Sequence, residues 1–206
     1  MQSIRFLLRR SIMLLLVSQA FCTPNPIETT EAKNDRGQLE RWQRRKDNFA
    51  KDGLYQRFSP AGALIEEAHY LADSLEGERK YFFPNGKVES VERYQNNQIH
   101  GKFQAFYEDG QLKIEQDFVQ GALTGLSIRY HPNGKIQEKV ILKDNVENGP
   151  FSEYHENGNL KTEGTYAPNE EGDGLEEGEI KEYDETGQLI RIADCKNGVC
   201  LTRWKK

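Results

Sequence analysis

The sequence contains no long apolar run and has little apolar content overall. An apolar stretch near the N-terminus, residues 12–17, is far shorter than the roughly 20 residues that span a bilayer as a helix. Only 36% of the 206 residues are hydrophobic and 30% are charged, and the mean hydropathy is −0.82. Such a chain can bury a thin core but not a thick multilayer one.

The sequence also has no excess of basic residues. Its formal net charge is −5, from 28 basic and 33 acidic side chains. Removal of the segment 1–20, which holds Arg5, Arg9 and Arg10 and no acidic residue, makes the balance more negative still, at −8. Nucleic acids and anionic lipid surfaces prefer a basic face. The charge balance therefore argues against both as electrostatic partners.

Catalytic and cofactor motifs are missing as well. No serine lies in a GxSxG context, and "GDGLEEG" at residues 172–178 lacks the glycine spacing of a dinucleotide fingerprint. His131 and His155 fall at equivalent points two strands apart, about 10 Å, which is too far for them to share a zinc ion. We expect no enzyme activity, no cofactor and no metal.

The N-terminus has the features of an export signal. Arg5, Arg9 and Arg10 precede the apolar stretch, and residues 18–20, Ser-Gln-Ala, offer small side chains at the cleavage positions. We interpret residues 1–20 as a signal peptide, which predicts an exported protein that is secreted, periplasmic or held in the cell envelope. An uncleaved anchor is the alternative.

Cys22 introduces a second alternative at this end. Cleavage after Phe21 would expose Cys22 as an N-terminal cysteine that can carry lipid, although lipoprotein signals prefer a small residue where Phe21 stands. A lipid anchor at Cys22 is the one membrane contact that the sequence predicts.

Four residue classes recur through the rest of the chain with one period. The first four intervals of each series are identical, as from Gly62 to Gly86 and from Gly86 to Gly110, and the last interval is longer. Two series are glycines, namely Gly62, Gly86, Gly110, Gly134, Gly158, Gly187 and Gly53, Gly77, Gly101, Gly125, Gly149, Gly178. The others are aromatic (Phe58, Phe82, Phe106, Tyr130, Tyr154, Tyr183) and aliphatic (Leu64, Val88, Leu112, Ile136, Leu160, Leu189). A sixfold structural repeat follows, with units of about 24 residues.

Each repeat contains two extended runs separated by turn residues. In residues 101–125 the runs "KFQAFY" and "LKIEQDF" flank "EDG", and other repeats have "PNG" or "ENG" there. Aromatic and β-branched residues favour strands, and Asn-Gly or Asp-Gly supplies the positive φ of a tight hairpin. The second glycine is expected to turn the chain into the next unit. We predict an all-β, elongated, single-layer antiparallel meander of six hairpins.

The motifs "YFFPNGKVE", "AFYEDGQLK", "RYHPNGKIQ", "EYHENGNLK" and "EYDETGQLI", each with a downstream glycine, resemble the MORN-repeat family. They are most similar to the variant repeats of YwqK-like antitoxin proteins. The resemblance covers residues 53 to about 204 and implies a MORN-like hairpin array. Members of that family include immunity or antitoxin partners of toxins, so the resemblance makes an immunity protein one possible function.

The remaining segments are expected to cover or connect the array. Residues 21–34 read as a flexible tether. In residues 35–52, Leu39, Trp42 and Phe49 share one helical face, which predicts a short capping helix before the repeat domain at 53–206. The alternative is a partner-binding helix.

The last repeat differs from the others in two ways. Its five extra residues lie in the acidic segment 167–179, which we interpret as a solvated edge loop; a divalent cation site is the alternative. Cys195 and Cys200 occupy positions that face each other across strands, which predicts a structural disulfide in an oxidising compartment. A redox or metal role for the pair is the alternative.

Alternation along the strands places several rings on one sheet face. The predicted binding residues are Phe83, Tyr107, His131, His155, Phe103 and Phe151. Aromatic-rich faces are common binding surfaces, although the rings could instead pack as core. We expect an exported, non-catalytic protein that binds another macromolecule, most simply a protein. A lipid-anchored structural component of the envelope is the alternative from another class.

Overall fold

The computed structural model describes residues 26–206, and every regular element in that range is a β-strand. The strands are β1 (Ile27–Lys33), β2 (Leu39–Arg45), β3 (Lys51–Phe58), β4 (Leu64–Leu71), β5 (Ser74–Phe82), β6 (Val88–Gln95), β7 (Gln98–Ile99), β8 (Gly101–Phe106), β9 (Leu112–Val119), β10 (Ala122–Tyr130), β11 (Ile136–Lys143), β12 (Val146–Tyr154), β13 (Leu160–Pro168), β14 (Gly174–Glu176), β15 (Gly178–Tyr183), β16 (Leu189–Lys196) and β17 (Val199–Lys205). Within the same range, no helix has the length and apolar character needed to cross a membrane.

The strands form one open antiparallel meander, as predicted. Apart from two interruptions, each strand pairs with the next along the chain. The short strands β7 and β8 both pair with β6, and β14 and β15 both pair with β13. β7 and β8 therefore form one interrupted strand of the sheet, and β14 and β15 form another, so that the sheet has fewer rows than named strands. At ~4.8 Å per row the array extends about 67 Å.

The turn inside each repeat is a three-residue loop closed by glycine. In the second repeat Phe83 N donates to Lys87 O and Gly86 N donates to Phe83 O, both at 2.9 Å. This is a type I turn followed by a residue with positive φ, and Pro84 suits its second position. Among the three loop residues of this turn, only Gly86 has a positive φ, of 81°. The preceding asparagine does not, contrary to the Asn-Gly expectation.

The turn between repeats is made by other residues than the second glycine series, so that part of the prediction is wrong. Asn96 and Asn97 have φ of 51° and 64°, the signature of a two-residue type I′ turn. The glycines of the second series lie within or at the start of strands. Gly125, for example, has φ of 117° where the β9–β10 register shifts. A β-bulge, not a chain reversal, is what requires glycine there.

The helix predicted for residues 35–52 is wrong, because these residues contain β2 and the start of β3. Residues 27–33 of the predicted tether form β1, which pairs with β2. The turn between them repeats the Gly-Gln-Leu order of residues 110–112 at residues 37–39. A tertiary partner decides the conformation: Trp42 lies opposite Tyr55 and packs on a core cluster. The predicted signal and Cys22 lie outside the described residues.

The segment with five extra residues is also more ordered than predicted. It extends the β13 strand and pairs it with β14, around a turn in which Gly172 N donates to Asn169 O at 3.1 Å. This turn has the same bonding pattern as the turns inside the repeats. Glu170, Glu171 and Asp173 therefore lie at a hairpin tip rather than in a loose loop.

One face of the sheet, called here the core face, holds the buried side chains. Its central row runs across the strands as Trp42, Tyr55, Ala68, Arg79, Glu92, Phe103, Gln116, Ser127, Val140, Phe151, Gly164, Ile180 and Ala193. One core cluster is centred on Tyr55 and Ala68 and the other on Val140 and Phe151. In the described residues no large side chain is fully buried, as expected of a single layer.

Candidate binding surface

The predicted row of Phe83, Tyr107, His131 and His155 lies at the first residue of successive hairpin turns. These side chains are half-buried, and three of them reach the next repeat. Tyr107 Oη donates to Tyr130 O at 2.8 Å, and His131 Nε2 lies 2.9 Å from the carbonyl oxygen of Tyr154. His155 Nε2 makes the same contact with Tyr183 O at 2.9 Å. The row therefore links neighbouring repeats through side-chain to backbone hydrogen bonds.

The turn asparagines and lysines extend these links. Asn133 Nδ2 donates to Glu156 O at 2.7 Å, and Lys135 Nζ donates to Asn157 O at 2.6 Å. Asn85 makes the equivalent bond at 3.2 Å. The recurrence of Asn-Gly-Lys in the sequence is thus explained by stacking of turns as well as by turn shape. Hydrogen bonds between the polar groups of successive turns therefore stabilise this edge of the sheet.

The other two predicted binding residues belong to the core face interior. Phe151 is 4% exposed and stacks on Tyr166 with ring centroids 4.3 Å apart. Phe103 meets Phe118 edge-on, with centroids 6.3 Å apart. The structure thus brings the six predicted residues to one face, but it divides them between the turn edge and the centre.

A different part of the core face, near the N-terminus, combines partly exposed aromatic and basic side chains around the buried Tyr55. We call it the aromatic–basic surface; it consists of Trp42, Tyr55, Tyr70, Tyr81, Tyr94, Lys51, Arg57 and Arg79. Lys51 Nζ lies 4.9 Å from the ring centroid of Tyr55 and 5.1 Å from that of Tyr70. The Arg79 guanidinium lies 4.8 Å from the centroid of Tyr81. Cation–π attraction holds these groups together.

A buried carboxylate fixes the two arginines of this surface. Glu66 is 4% exposed. It accepts a hydrogen bond from Arg57 Nε at 2.8 Å and from Arg79 Nε at 2.7 Å. Charge-assisted bonds of this kind define the orientation of a guanidinium. Both arginines are consequently pre-oriented beside the tyrosines.

Five residues of this surface border an open depression of about 380 Å³ that also has Glu40 and Glu66 in its lining; they are Lys51, Tyr55, Arg57, Tyr70 and Arg79. Burial raises the pKa of Tyr81 to about 12, and it also raises the pKa of Tyr55 and Tyr70. The tyrosine hydroxyl groups therefore stay protonated, and able to donate hydrogen bonds, to a higher pH than an exposed tyrosine would. The depression offers rings, hydroxyl groups and fixed positive charge together.

Sequence reasoning missed this surface for an identifiable reason. Assigning residues 35–52 to a helix removed Trp42 from the sheet. A further signal was present, because Tyr70, Tyr94 and Phe118 follow one another at the same interval as the glycines from Gly62 to Gly110. That series would have placed the tyrosines beside Tyr55 on the core face.

A second depression, of about 740 Å³, lies beside the turn edge of the fourth and fifth repeats. Glu138 and Glu153 face each other across β11 and β12. Arg129 lies 3.1 Å from Glu138, and Lys161 lies 3.0 Å from Glu153. Glu138 and Glu153 therefore already have cationic partners, and the depression presents a polar surface of mixed charge.

Cys195 and Cys200 form the predicted disulfide between β16 and β17. Together with Glu176 they are the one group of three potential metal ligands that the described residues bring together. The predicted histidines are not part of it.

Comparison with known proteins identifies the repeat. The model of the family described as "MORN repeat variant" matches residues 51–72, 75–96, 99–120, 123–144, 147–167 and 176–197. None of the curated proteins matches the chain. Among solved structures, a porin-like protein from Bacteroides uniformis aligns over 85% of this chain and 92% of its own length, with 9% identity and a TM-score of 0.23. Such a TM-score supports no conclusion about this protein.

The matched segments coincide with the hairpins from β3 to β16 and cover more than half of the sequence. The β1–β2 hairpin and β17 lie outside them. The chain belongs to the MORN repeat variant family.

Proposed function

We propose that the protein is an exported, non-catalytic repeat scaffold that binds another protein through the aromatic–basic surface. The observation that carries the proposal is the pairing of accessible tyrosine and tryptophan rings with two arginines fixed by Glu66. Trp, Tyr and Arg dominate the residues that contribute most to protein–protein binding. Fixed side chains also lose less conformational entropy when a partner binds.

The shape of the sheet supports the same function. A single layer leaves its core face open to solvent along about 67 Å of array, whereas catalysis usually needs an enclosed site that excludes water. The two depressions described above are open and have mainly polar linings. A binding surface is the use that such a face supports best.

Export is supported by two independent features. Residues 1–20 have the composition of a signal peptide. The Cys195–Cys200 disulfide requires oxidising surroundings to persist. An immunity protein acting inside the producing cell would need neither.

Affinity capture of the exported protein, with mass-spectrometric identification of the bound proteins, tests the proposal. We expect Lys51→Gln and Tyr70→Ala to reduce capture of a specific partner at least tenfold, because both alter the centre of the surface. The matched control is Lys102→Gln. Lys102 is an exposed cation on the opposite face, paired with Glu115 and Asp117. Equal capture by Lys51→Gln and by the wild type would refute binding through this surface.

A further inference from the structure

The hairpin extension in the last repeat places a carboxylate beside the disulfide. Glu176, at the end of β14, has its Oε2 atom 3.0 Å from Cys200 Sγ and 3.9 Å from Cys195 Sγ. One potential ligand atom from each of the three residues lies within 4.8 Å of the other two. Two of the residues are half-buried and Cys195 is 5% exposed.

Glu176 stands at a place on the core face that differs in chemistry between repeats. Glu176 lies opposite Tyr166, as Leu75 lies opposite Tyr70 and Ile99 opposite Tyr94. Leu123 has the equivalent place in the next repeat, and Glu147, opposite Leu142, has it in the one after. Of these two glutamates, Glu176 is the one that lies beside the cysteines.

The disulfide state does not provide this carboxylate with a donor. Disulfide sulfurs carry no hydrogen, and among residues 26–206 no N–H or O–H group donates to the Glu176 side chain. Thiol S–H groups or a bound cation at the sulfurs would each give this half-buried carboxylate a direct partner.

We propose that reduction of Cys195–Cys200 converts these three residues into a binding site for one divalent metal ion of the zinc class. Zinc accepts thiolate and carboxylate ligands, and sites with three protein ligands keep a fourth position for water. With Zn–S of about 2.3 Å and Zn–O of about 2.0 Å, tetrahedral geometry places S and O about 3.5 Å apart. The two observed S–O distances, 3.0 and 3.9 Å, lie on either side of that value.

The reaction that opens the site is thiol–disulfide exchange. Two equivalents of a thiol reductant supply two electrons and two protons and become a disulfide themselves, and the Cys195–Cys200 bond is replaced by two thiols. Metal binding then displaces both thiol protons to solvent, leaving two thiolates as ligands. In the oxidised protein the sulfurs are bonded to each other and the site is closed. Occupancy is therefore set by the redox state.

Zinc titration of the mature chain against a chromophoric chelator tests this inference. We expect one Zn²⁺ per chain after reduction with a phosphine, and none in the oxidised protein. Cys195→Ser and Cys200→Ser should abolish binding in reduced samples, and Glu176→Gln should weaken it about tenfold or more. Glu177→Gln is the matched control, because the Glu177 carboxylate instead accepts a bond from Asn197 N.

A second readout reports the ligands directly. Co²⁺ added to the reduced wild type should give a thiolate-to-cobalt charge-transfer band, which the serine variants lack. Equal zinc stoichiometry in oxidised and reduced protein would overturn the proposal, and so would wild-type affinity in Glu176→Gln. If reduction unfolds the last hairpin in circular dichroism and Zn²⁺ does not restore it, the proposal is also wrong.

Discussion

Glu66 connects the stability of the sheet to its proposed binding surface, and the substitution Glu66→Gln tests this connection. The substitution keeps the size of the side chain but removes the charge between Arg57 and Arg79. Breaking a fully buried ion pair costs about 3–5 kcal/mol. Here the arginine side chains are 21% and 27% exposed, so water offsets part of that cost. We expect a loss of about 2 kcal/mol in the free energy of unfolding.

Urea unfolding followed by tyrosine and tryptophan fluorescence measures this loss. With a slope of about 2 kcal/mol per molar, the midpoint should fall by about 1 M. Glu67→Gln is the matched control, because Glu67 lies on the opposite face and accepts a bond only from the neutral Gln56 in the described residues. Its midpoint should change by no more than about 0.3 M. Equal midpoints for the two variants would refute the reasoning.

A double-mutant cycle separates the charge interaction from general disturbance. Arg57→Met removes one cation, and in that background Glu66→Gln should cost clearly less than in the wild type, because the remaining Arg79 is only one of two partners. If the two costs simply add, the three groups do not act as a unit. The pre-orientation of the arginines would then have another cause.

Contacts elsewhere in the sheet can be tested in the same way. Tyr107→Phe removes the hydroxyl that donates to Tyr130 O and should cost about 1 kcal/mol in urea unfolding; no change would exclude a stabilising link between these repeats. Gly149→Ala should cost at least about 1 kcal/mol, because Gly149 has φ of 128° and an added Cβ would lie 3.2 Å from Ile141 Cβ; a neutral effect would show that the bulge can relax. Burial raises the pKa of Glu147 above its usual value of 4.5. The folded state therefore favours its protonated form, and the stability this gives is present below that value and lost as pH rises through the folded pKa. Glu147→Gln should be more stable than the wild type at pH 7 and equal to it at acid pH in thermal unfolding, and an equal advantage at both pH values would contradict this cause.

The repeat spacing was sufficient to predict the fold of residues 53–206. Gly86 and its equivalents are needed because a three-residue loop requires positive φ at its last position, a constraint that acts locally and is visible in sequence. The two-residue turns were harder to recognise. These turns share a conformation but no common residue pattern, as shown by the pairs Asn96-Asn97, Gln120-Gly121 and Asp144-Asn145. The regular spacing of the second glycine series therefore suggested, wrongly, that those glycines turn the chain.

The first hairpin was missed because local and tertiary signals disagree there. Leu39, Trp42 and Phe49 fit a helical face. The turn glycine of this hairpin, Gly37, also precedes Gly62 by an interval one position longer than that from Gly62 to Gly86. A repeat series defined by a strictly constant glycine interval therefore leaves this hairpin out. Packing of Trp42 against the core cluster of Tyr55 overrides the helical pattern.

The residues that keep the period and those that depart from it have different tasks in this molecule. Turn glycines, turn asparagines and the edge histidines recur because every repeat must bond to the next in the same way. The centre of the core face recurs in position but not in chemistry. Its equivalent places are occupied by Tyr55, Arg79, Phe103, Ser127, Phe151 and Ile180.

A face that only had to pack would gain nothing from an arginine at one of these places. Arg79 is retained there at the expense of a buried Glu66 that must balance it. Glu147 and Glu176 likewise stand where Leu75, Ile99 and Leu123 stand in earlier repeats, and Glu176 lies beside the cysteines. In a regular array, the departures from the repeat are therefore the places where selection for function, rather than for folding, is expected to act.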